Sequence, residues 1–235
     1  MRPDKFKDGD GGAMAIVRRA FVAFALSLTI SLAAISGFAL ADRTGTSSDP
    51  MAQMKGLADQ LLAESRAPEC QSGQKICRDK MRALVEAHWD VLEMARNALG
   101  VHWKSLDDNE RHRFAKLFGN LTEAIYLSRA NLSKAEGVSR DAKIEFVREI
   151  FDGNDYCQVN SYITLQGHDK PISVNYRLKR DGDVWKAYDV VVEGISVVAN
   201  YRNQFNRVIN SKGYPALVRE LQERVQRVQA SGEGA

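Results

Sequence analysis

Apolar and polar residues alternate along residues 185–193, and the spacing then changes to that of a helix. The alternation places Asp189 and Glu193 on one face of a predicted strand. The apolar residues of the other face are Tyr188, Val190 and Val192. The period changes at Gly194, and Ser196 is a candidate N-cap. Apolar residues then recur at three- and four-residue steps, at Val198, Tyr201, Phe205 and Val208. The pattern predicts a strand that turns sharply into an amphipathic helix.

Three upstream segments alternate in the same way and predict three more strands, over Ile144–Phe151, Cys157–Gln166 and Ile172–Lys179. The turns between strands are short and polar, as at Asp152-Gly153-Asn154 and Asp181-Gly182. Parallel strands would need crossover connections of a dozen or more residues. The turn lengths therefore predict an antiparallel meander of four strands.

Apolar residues recur at helical spacing before the strands. The first predicted helix begins at Met51, and a second extends from about Arg78 to Leu99, where Gly100 ends it. Ser105, three residues before Asp108, suggests a capping box for a long third helix. This third helix carries a stripe rich in large aromatic residues, which by default belongs to the core.

Two more helices are predicted after the strands, because Lys212-Gly213 ends one and Pro215 is placed to begin the next. Helices thus come first and last along the chain, and strands lie between them. This order is typical of an α+β fold in which helices pack on one face of a curved sheet.

Residues 1–41 have the pattern of an export signal. A basic segment after Met14 precedes an apolar run that ends in Ala39-Leu40-Ala41, a small-x-small cleavage motif. We expect cleavage after Ala41. The run is also about long enough to span a membrane, so its retention as an anchor stays open. The remaining chain divides into a linker, one folded domain and a disordered tail, over residues 42–50, 51–229 and 230–235.

Composition and charge narrow the class of partner. The chain has 235 residues, 44% of them apolar, which suits one good core. Of its 33 Lys and Arg and 30 Asp and Glu, the first 41 residues hold five and three, which leaves 28 against 27. A near-neutral domain lacks the basic excess that grips phosphate backbones. We therefore expect no nucleic acid partner.

The three cysteines point to a local crosslink. Cys70 and Cys77 lie seven positions apart, and in an exported protein this spacing favours a disulfide, although the sequence leaves their oxidation state open. Two thiols without nearby His or further Cys do not complete a zinc site. Cys157 is left over, and we expect it to be a buried small apolar residue.

The motif most suggestive of catalysis is Gly194-Ile195-Ser196-Val197-Val198, which follows a strand and opens a helix. A nucleophile elbow needs Gly where Val198 stands, and all four histidines precede Ser196, whereas the hydrolase order puts one after it. A second enzymatic hypothesis uses Asp189 or Glu193 as a general base tuned by apolar surroundings. No zinc spacing, phosphate loop or dinucleotide fingerprint is present, so no cofactor is expected.

An ordered set of short motifs resembles the MlaC family, also called the toluene-tolerance family, of Gram-negative bacteria. The downstream motifs are Tyr176-Arg177-Leu178, Trp185, Tyr188-Asp189, Glu193-Gly194-Ile195-Ser196, Asn200-Tyr201-Arg202 and Gln204-Phe205. The upstream motifs are Ala98-Leu99-Gly100, Trp103 and Glu110-Arg111. The likeness extends from about Met51 to Val225.

This resemblance implies a periplasmic, non-catalytic protein that holds a phospholipid by its acyl tails. It also implies a cystatin-like or nuclear-transport-factor-like cone with extra helices. The implied role is a lipid shuttle between the outer and inner membranes, as the soluble component of an ABC transport system. The implied partners are an inner-membrane ABC transporter complex with an MCE-domain subunit and an outer-membrane lipoprotein complex.

The apolar faces supply a candidate lining for such a lipid cavity. The aromatic helix would contribute Phe114, Phe118, Leu121 and Ile125. The strands would contribute Ile163, Leu165, Val174, Tyr176, Val190 and Val192. Val197 would close one end. Apolar alternation alone does not separate a cavity wall from the filling of a solid core, so both interpretations stay open.

Three functions therefore compete: a lipid carrier, an exported small-molecule enzyme with a carboxylate base, and a non-catalytic envelope adaptor. The carrier accounts best for the resemblance. The sequence distinguishes neither a glycerophospholipid from a hopanoid-like lipid nor the direction of transport. Arg177 and Arg202 match recurring family positions, and either a headgroup, a partner or an ion pair with Asp189 or Glu193 would suit them.

Overall fold

The computed structural model of the chain describes residues 49–65, 67–71, 75–127, 143–164 and 170–233. The helices before the strands are α1 (Pro50–Ser65), α2 (Pro68–Gln71), α3 (Lys75–His88), α4 (Val91–Leu99) and α5 (Asp108–Leu127), with a 3-10 helix (Gly100–Ser105) between the last two. The helices after the strands are α6 (Val197–Lys212) and α7 (Tyr214–Glu233). Within the described ranges, no helix has the length and apolar character to cross a membrane.

Only some of the segment boundaries predicted from the sequence fall within the described residues. The predicted signal peptide, its cleavage point and residues 42–48 lie outside the described residues. At the other end, α7 continues to Glu233, so its last turn overlaps the segment 230–235 for which the sequence predicts a disordered tail.

The strands form one antiparallel sheet in chain order. They are β1 (Lys143–Asp152), β2 (Tyr156–Thr164), β3 (Ile172–Asp181), β4 (Val184–Val192) and β5 (Ile195–Ser196). The expectation of four strands was one short, although the α+β class and the curved sheet are confirmed. The fifth strand is two residues long and pairs with Val191 and Val192. Glu193 and Gly194 make the turn with φ values of 49° and 79°, so the chain reverses before α6 begins.

A bulge in β4 changes which residues share a face. Arg177 pairs with Asp189 but the next residue, Leu178, pairs with Ala187, so Tyr188 is the extra residue. A bulge breaks the period of two at one position. The prediction that Tyr188 shares the apolar face of Val190 and Val192 was wrong for this reason.

The predicted helix from 78 to 99 is two helices. Trp89 and Asp90 interrupt it and lie against the sheet, where Trp89 bridges to Ala187 and the Asp90 N–H donates to the Ala187 carbonyl at 2.9 Å. The Asp90 carboxylate then accepts from the Glu93 N–H at 2.9 Å and caps α4. The break thus covers the edge of β4 and starts a new helix in a new direction.

The helix caps correct one prediction and confirm another. Ser105 does not cap α5, because its hydroxyl donates to the His102 carbonyl at 2.8 Å. Asp107 takes that role and accepts from the Glu110 N–H at 2.7 Å. Ser196 caps α6 as expected, and its oxygen accepts from the Ala199 N–H at 2.9 Å.

One hydrophobic cluster joins the sheet to the helices. It contains buried residues of helices α1 to α7 and strands β2 to β4. Cys70 and Cys77 are disulfide-bonded within it, with Cα atoms 4.9 Å apart, which confirms the predicted crosslink. Cys157 is buried, and this burial raises the pKa of its thiol to about 11. A thiol with that pKa is unreactive at neutral pH.

We expect Asp90→Ala to lower the free energy of unfolding by about 1 kcal/mol, because α4 loses its N-cap. Chemical denaturation monitored by circular dichroism measures this change. Asp183→Ala is the matched control, since Asp183 is exposed in the β3–β4 turn and makes only a 3.9 Å ion pair with Arg180. Equal losses from the two substitutions would contradict a capping role for Asp90.

Candidate functional site

The aromatic residues of α5 pack against the C-terminal helices. The Phe118 ring lies 5.0 Å from that of Tyr201 and 5.6 Å from that of Phe205, with edge-to-face geometry. The Phe114 ring lies 5.8 Å from Phe205 and 6.1 Å from Tyr214. These ring contacts place Phe114 and Phe118 in the space between α5, α6 and α7. Edge-to-face contacts of this kind stabilise a helix interface.

The predicted strand residues form a continuous apolar surface on one face of the sheet. Tyr176 pairs with Val159 on one side and Val190 on the other, and Val174 pairs with Val192. The buried members of this surface, which we call the core face, are Val159, Ile163, Val174, Tyr176, Val190 and Val192. Residues that pair side by side on one face of a sheet contact each other directly. The core face is therefore one apolar surface rather than scattered contacts.

Two residues of β1 extend the core face and were not singled out from the sequence. Ile144 pairs with Ile163, and Phe146 pairs with Ser161, so both belong to this face. The Phe146 ring lies 6.3 Å from the Tyr176 ring, and both β1 residues are half-buried. A second bulge, at Val147, interrupts the alternation of β1 after Phe146 and concealed this signal.

The remaining predicted lining residues are Leu121, Ile125, Val197 and Leu165. Leu121 is fully buried, Ile125 is half-buried and Val197 is buried at the start of α6. All three belong to the cluster that contains the core face and the α5 aromatic residues. Leu165 lies outside the described residues. The structure thus brings the described candidates into one apolar cluster with two parts, the core face and the interhelical aromatic group.

Two hydroxyl groups are buried within this apolar surface. The Ser161 hydroxyl donates to the Val174 carbonyl at 2.7 Å, across the β2–β3 pair. Tyr176 is 1% exposed, and burial raises the pKa of its phenol. A phenol in such surroundings stays neutral and adds no charge to the face.

Asp189 lies on the opposite face, buried at the corner between β4 and α6. One carboxylate oxygen accepts from the Ser196 hydroxyl at 2.6 Å and lies 3.2 Å from Arg177 Nη1, and the other accepts from the Val198 N–H at 3.0 Å. Burial raises the pKa of Asp189, while these hydrogen bonds and the Arg177 charge act in the opposite direction. The carboxylate therefore binds the first turn of α6, where unpaired N–H groups favour a negative charge.

Glu193 lies in the turn after β4 and bonds to β3 instead of α6. Its N–H donates to the Ser173 carbonyl at 2.9 Å, and its side chain accepts from the Ser173 N–H. It therefore closes the end of the β3–β4 pair. Both carboxylates considered as a general base are thus engaged, Asp189 by Ser196, Arg177 and Val198, and Glu193 by Ser173.

The buried carboxylate of Glu93 was not identified from the sequence. Only 5% of this residue is exposed, and it bonds Arg96 on its own helix and Lys179 of β3, the latter at 3.1 Å. Burial acts to raise the pKa of Glu93, but the hydrogen bonds and charges of Arg96 and Lys179 outweigh it and the pKa is lowered. The cluster fixes α4 to the sheet. Among the described residues, no group of three or more His, Cys, Asp or Glu could hold a metal ion.

We expect Asp189→Asn to change how stability depends on pH. The folded-state pKa of Asp189 lies above its ordinary value of 3.8, so the native state holds this proton more tightly than the unfolded state. The contribution of the group to the free energy of unfolding is then largest below about pH 4 and declines as pH rises through the folded-state pKa. The difference between wild type and D189N should follow that decline in urea denaturation across about pH 4 to 8.

Asp181→Asn is a control of opposite sign. Asp181 is exposed, and its hydrogen bond to Lys186 lowers its pKa. Its contribution is therefore present at neutral pH and declines as pH falls. If the D189N difference rose with pH as the D181N difference does, the raised pKa of Asp189 would be refuted.

Comparison with known proteins adds three findings. A model of the MlaC protein family matches residues 55–223. The intermembrane phospholipid transport system binding protein MlaC of Haemophilus influenzae is 22% identical over 200 residues, which are 83% of this chain and 91% of that protein. The phospholipid-binding protein from Ralstonia solanacearum, solved in complex with a phospholipid, superposes with a TM-score of 0.64 at 22% identity and covers 77% of this chain and 99% of that one.

The structural likeness supports the fold, since the two chains share the architecture over nearly the whole of the solved protein. The family model covers well over half of the chain and includes the core face, the Asp189 corner and the α5 aromatic group. This chain belongs to the MlaC family.

Proposed function

We propose that this protein is a carrier that binds phospholipid by its acyl tails and shuttles it between two membranes. The observation that carries the proposal is the continuous core face of the sheet, in a chain of the MlaC family. The named Haemophilus relative is a phospholipid transport binding protein, and the Ralstonia structure holds a phospholipid on the same fold.

The physical basis is the cost of exposing acyl tails to water. Two chains of about sixteen carbons would cost about 20 kcal/mol or more, at roughly 0.8 kcal/mol per methylene. An apolar interior removes most of that cost, so transfer from a membrane to the protein is close to isoenergetic. The headgroup stays at the surface. Direction then comes from partners and not from the carrier itself.

The proposed tail site lies along the core face. We assign its floor to Ile163, Val174, Tyr176, Val190 and Val192, with Leu165 added from the sequence pattern. Leu121, Ile125 and Val197 would meet the tails from the helical side. We propose that Phe114 and Phe118 support this site from behind, because their rings contact Tyr201, Phe205 and Tyr214 of the C-terminal helices.

The setting follows from the same proposal. The signal at residues 1–41 would deliver the chain to the periplasm, with cleavage after Ala41. There it would exchange lipid with an inner-membrane ABC transporter complex that has an MCE-domain subunit and with an outer-membrane lipoprotein complex. The transporter would supply the energy, since the carrier needs no cofactor or nucleotide for binding.

The buried carboxylate does not favour the enzyme hypothesis. A general base must reach a substrate proton, whereas both Asp189 oxygens are engaged by Ser196, Val198 and Arg177. We therefore propose a non-catalytic protein in which Asp189 holds the corner between β4 and α6.

Native mass spectrometry of the exported chain tests the carrier directly. We expect about one phospholipid per chain after purification without detergent, identified from organic extracts. If the purified chain carried no lipid and took none up from vesicles, the carrier hypothesis would be refuted. The adaptor hypothesis would then be favoured.

A pair of adjacent substitutions tests the position of the tails. Ile163 is fully buried on the core face, and Tyr162, its neighbour in β2, is 46% exposed on the other face. Ile163→Trp should reduce bound lipid several-fold because the larger ring occupies the proposed site, while Tyr162→Trp should leave it unchanged. Circular dichroism establishes that both variants fold, and Ile163→Phe replaces Ile163→Trp if the latter does not. Unchanged lipid in a folded Ile163 variant would refute this placement.

A further inference from the structure

The 3-10 helix between α4 and α5 presents an exposed apolar tip. Val101 is 76% exposed, the highest value among the large apolar side chains of the described residues that face solvent. Single exposed apolar residues are common on protein surfaces. The positive charge beside Val101 distinguishes it from such residues.

The tip stands on a rigid base. Gly100, with φ of 56°, donates its N–H to the Arg96 carbonyl and ends α4. A Cβ at this glycine would lie 3.1 Å from Cδ of Arg202, so the Arg202 stem from α6 packs directly against the turn. The His102 ring nitrogen Nε2 lies 2.6 Å from Asn206 Oδ1, which ties the turn to the same helix. Val101 is therefore held outward by structure.

Two cationic side chains lie close to Val101. Lys104 belongs to the same 3-10 helix, and the stem of Arg202 from α6 packs against Gly100, the residue before Val101. We call the exposed tip and these two cationic neighbours the Val101 patch, which consists of Val101, Lys104 and Arg202.

The acidic residues that follow Val101 most closely in the sequence contact groups of α5. Asp107 caps α5 through the Glu110 N–H, and Asp108 forms an ion pair with Arg111 at 2.8 Å. Arg111 also lies over the Trp103 ring, at 5.7 Å from its centroid. Lys104 and Arg202 form no ion pair with another described residue, so both charges are available to a partner outside the protein.

We propose that the Val101 patch docks the protein onto an anionic phospholipid membrane. The apolar tip would enter the headgroup layer while Lys104 and Arg202 approach the lipid phosphates. Each cation near an anionic surface strengthens binding roughly fivefold, and an apolar insertion adds to it. A weak, reversible contact results, which suits a protein that has to leave the membrane again. The inference deepens the proposed function, on which its purpose rests.

Vesicle co-sedimentation of the exported chain tests the patch, with the N-terminus of the sample identified by mass spectrometry. Vesicles of phosphatidylglycerol and phosphatidylethanolamine should bind the protein at low salt, and phosphatidylcholine vesicles should bind it at least tenfold less. Val101→Asp should reduce the partition coefficient by about tenfold, because the apolar insertion is lost. Lys104→Glu should reduce it by about 25-fold, because it changes the net charge of the patch by two units at roughly fivefold each.

Val147→Asp is the matched control. Val147 is a 45% exposed valine on β1, the strand at the opposite edge of the sheet from β5, and its substitution should change binding by less than twofold. Equal binding by wild type, Val101→Asp and Lys104→Glu would overturn the docking surface, as would equal binding to the two vesicle types. Bound lipid in Val101→Asp, measured by native mass spectrometry, should stay at the wild-type level. Failure of the patch is thereby distinguishable from failure of the carrier.

Discussion

The corner between β4 and α6 depends on one buried carboxylate. Asp189 is 3% exposed, and its two oxygens take a hydroxyl, a backbone N–H and a guanidinium. A buried charge without such partners would cost far more than it contributes. The three contacts therefore act together: they fix where α6 begins, which way it leaves the sheet and how Val197 and Val198 meet the core. The C-terminal helices and the α5 rings take their positions from that starting point.

Apolar side chains and carboxylates occupy separate regions of the molecule. The core face carries aliphatic and aromatic side chains with two neutral hydroxyls, while the carboxylates of Asp189, Glu93 and Glu193 are engaged at helix ends and strand ends. These three carboxylates stay away from the region proposed for acyl tails, whereas Glu149 of β1 pairs with Val159 and lies at the margin of the core face. A lipid tail would then meet no buried charge whose desolvation it would have to offset.

Regular patterns in the sequence were sufficient for much of this architecture. Val174, Tyr176, Val190 and Val192 alternate without interruption, and all four lie on one face as predicted. Tyr188 was assigned to the wrong face because a bulge depends on tertiary contacts, here the need for Asp189 to reach α6. The break at Asp90 was missed for a similar reason, since the apolar spacing continues through it and only the Ala187 carbonyl reveals it.

Burial of charge was the other quantity that the sequence did not reveal. Glu93 occurs in a helix where an acidic residue is exposed by default, and its burial is offset by Arg96 of the same helix and by Lys179, which comes from β3. The α5 rings were correctly expected to be buried, but periodicity carries no information about which element covers them. They contact Tyr201, Phe205 and Tyr214 because α5 packs beside α6 and α7. The spacing of apolar residues within one helix does not specify which helices become its neighbours.

The short strand β5 and the Trp89 bridge also govern how copies of this protein behave toward each other. Both occupy the outer side of β4, so that margin offers little room for a strand from another molecule. The remaining margin of the described sheet is β1, where the irregularity at Val147 and the charges of Lys143, Glu145 and Arg148 discourage intermolecular pairing. A sheet whose two edges are protected in this way resists edge-to-edge association of copies at high concentration.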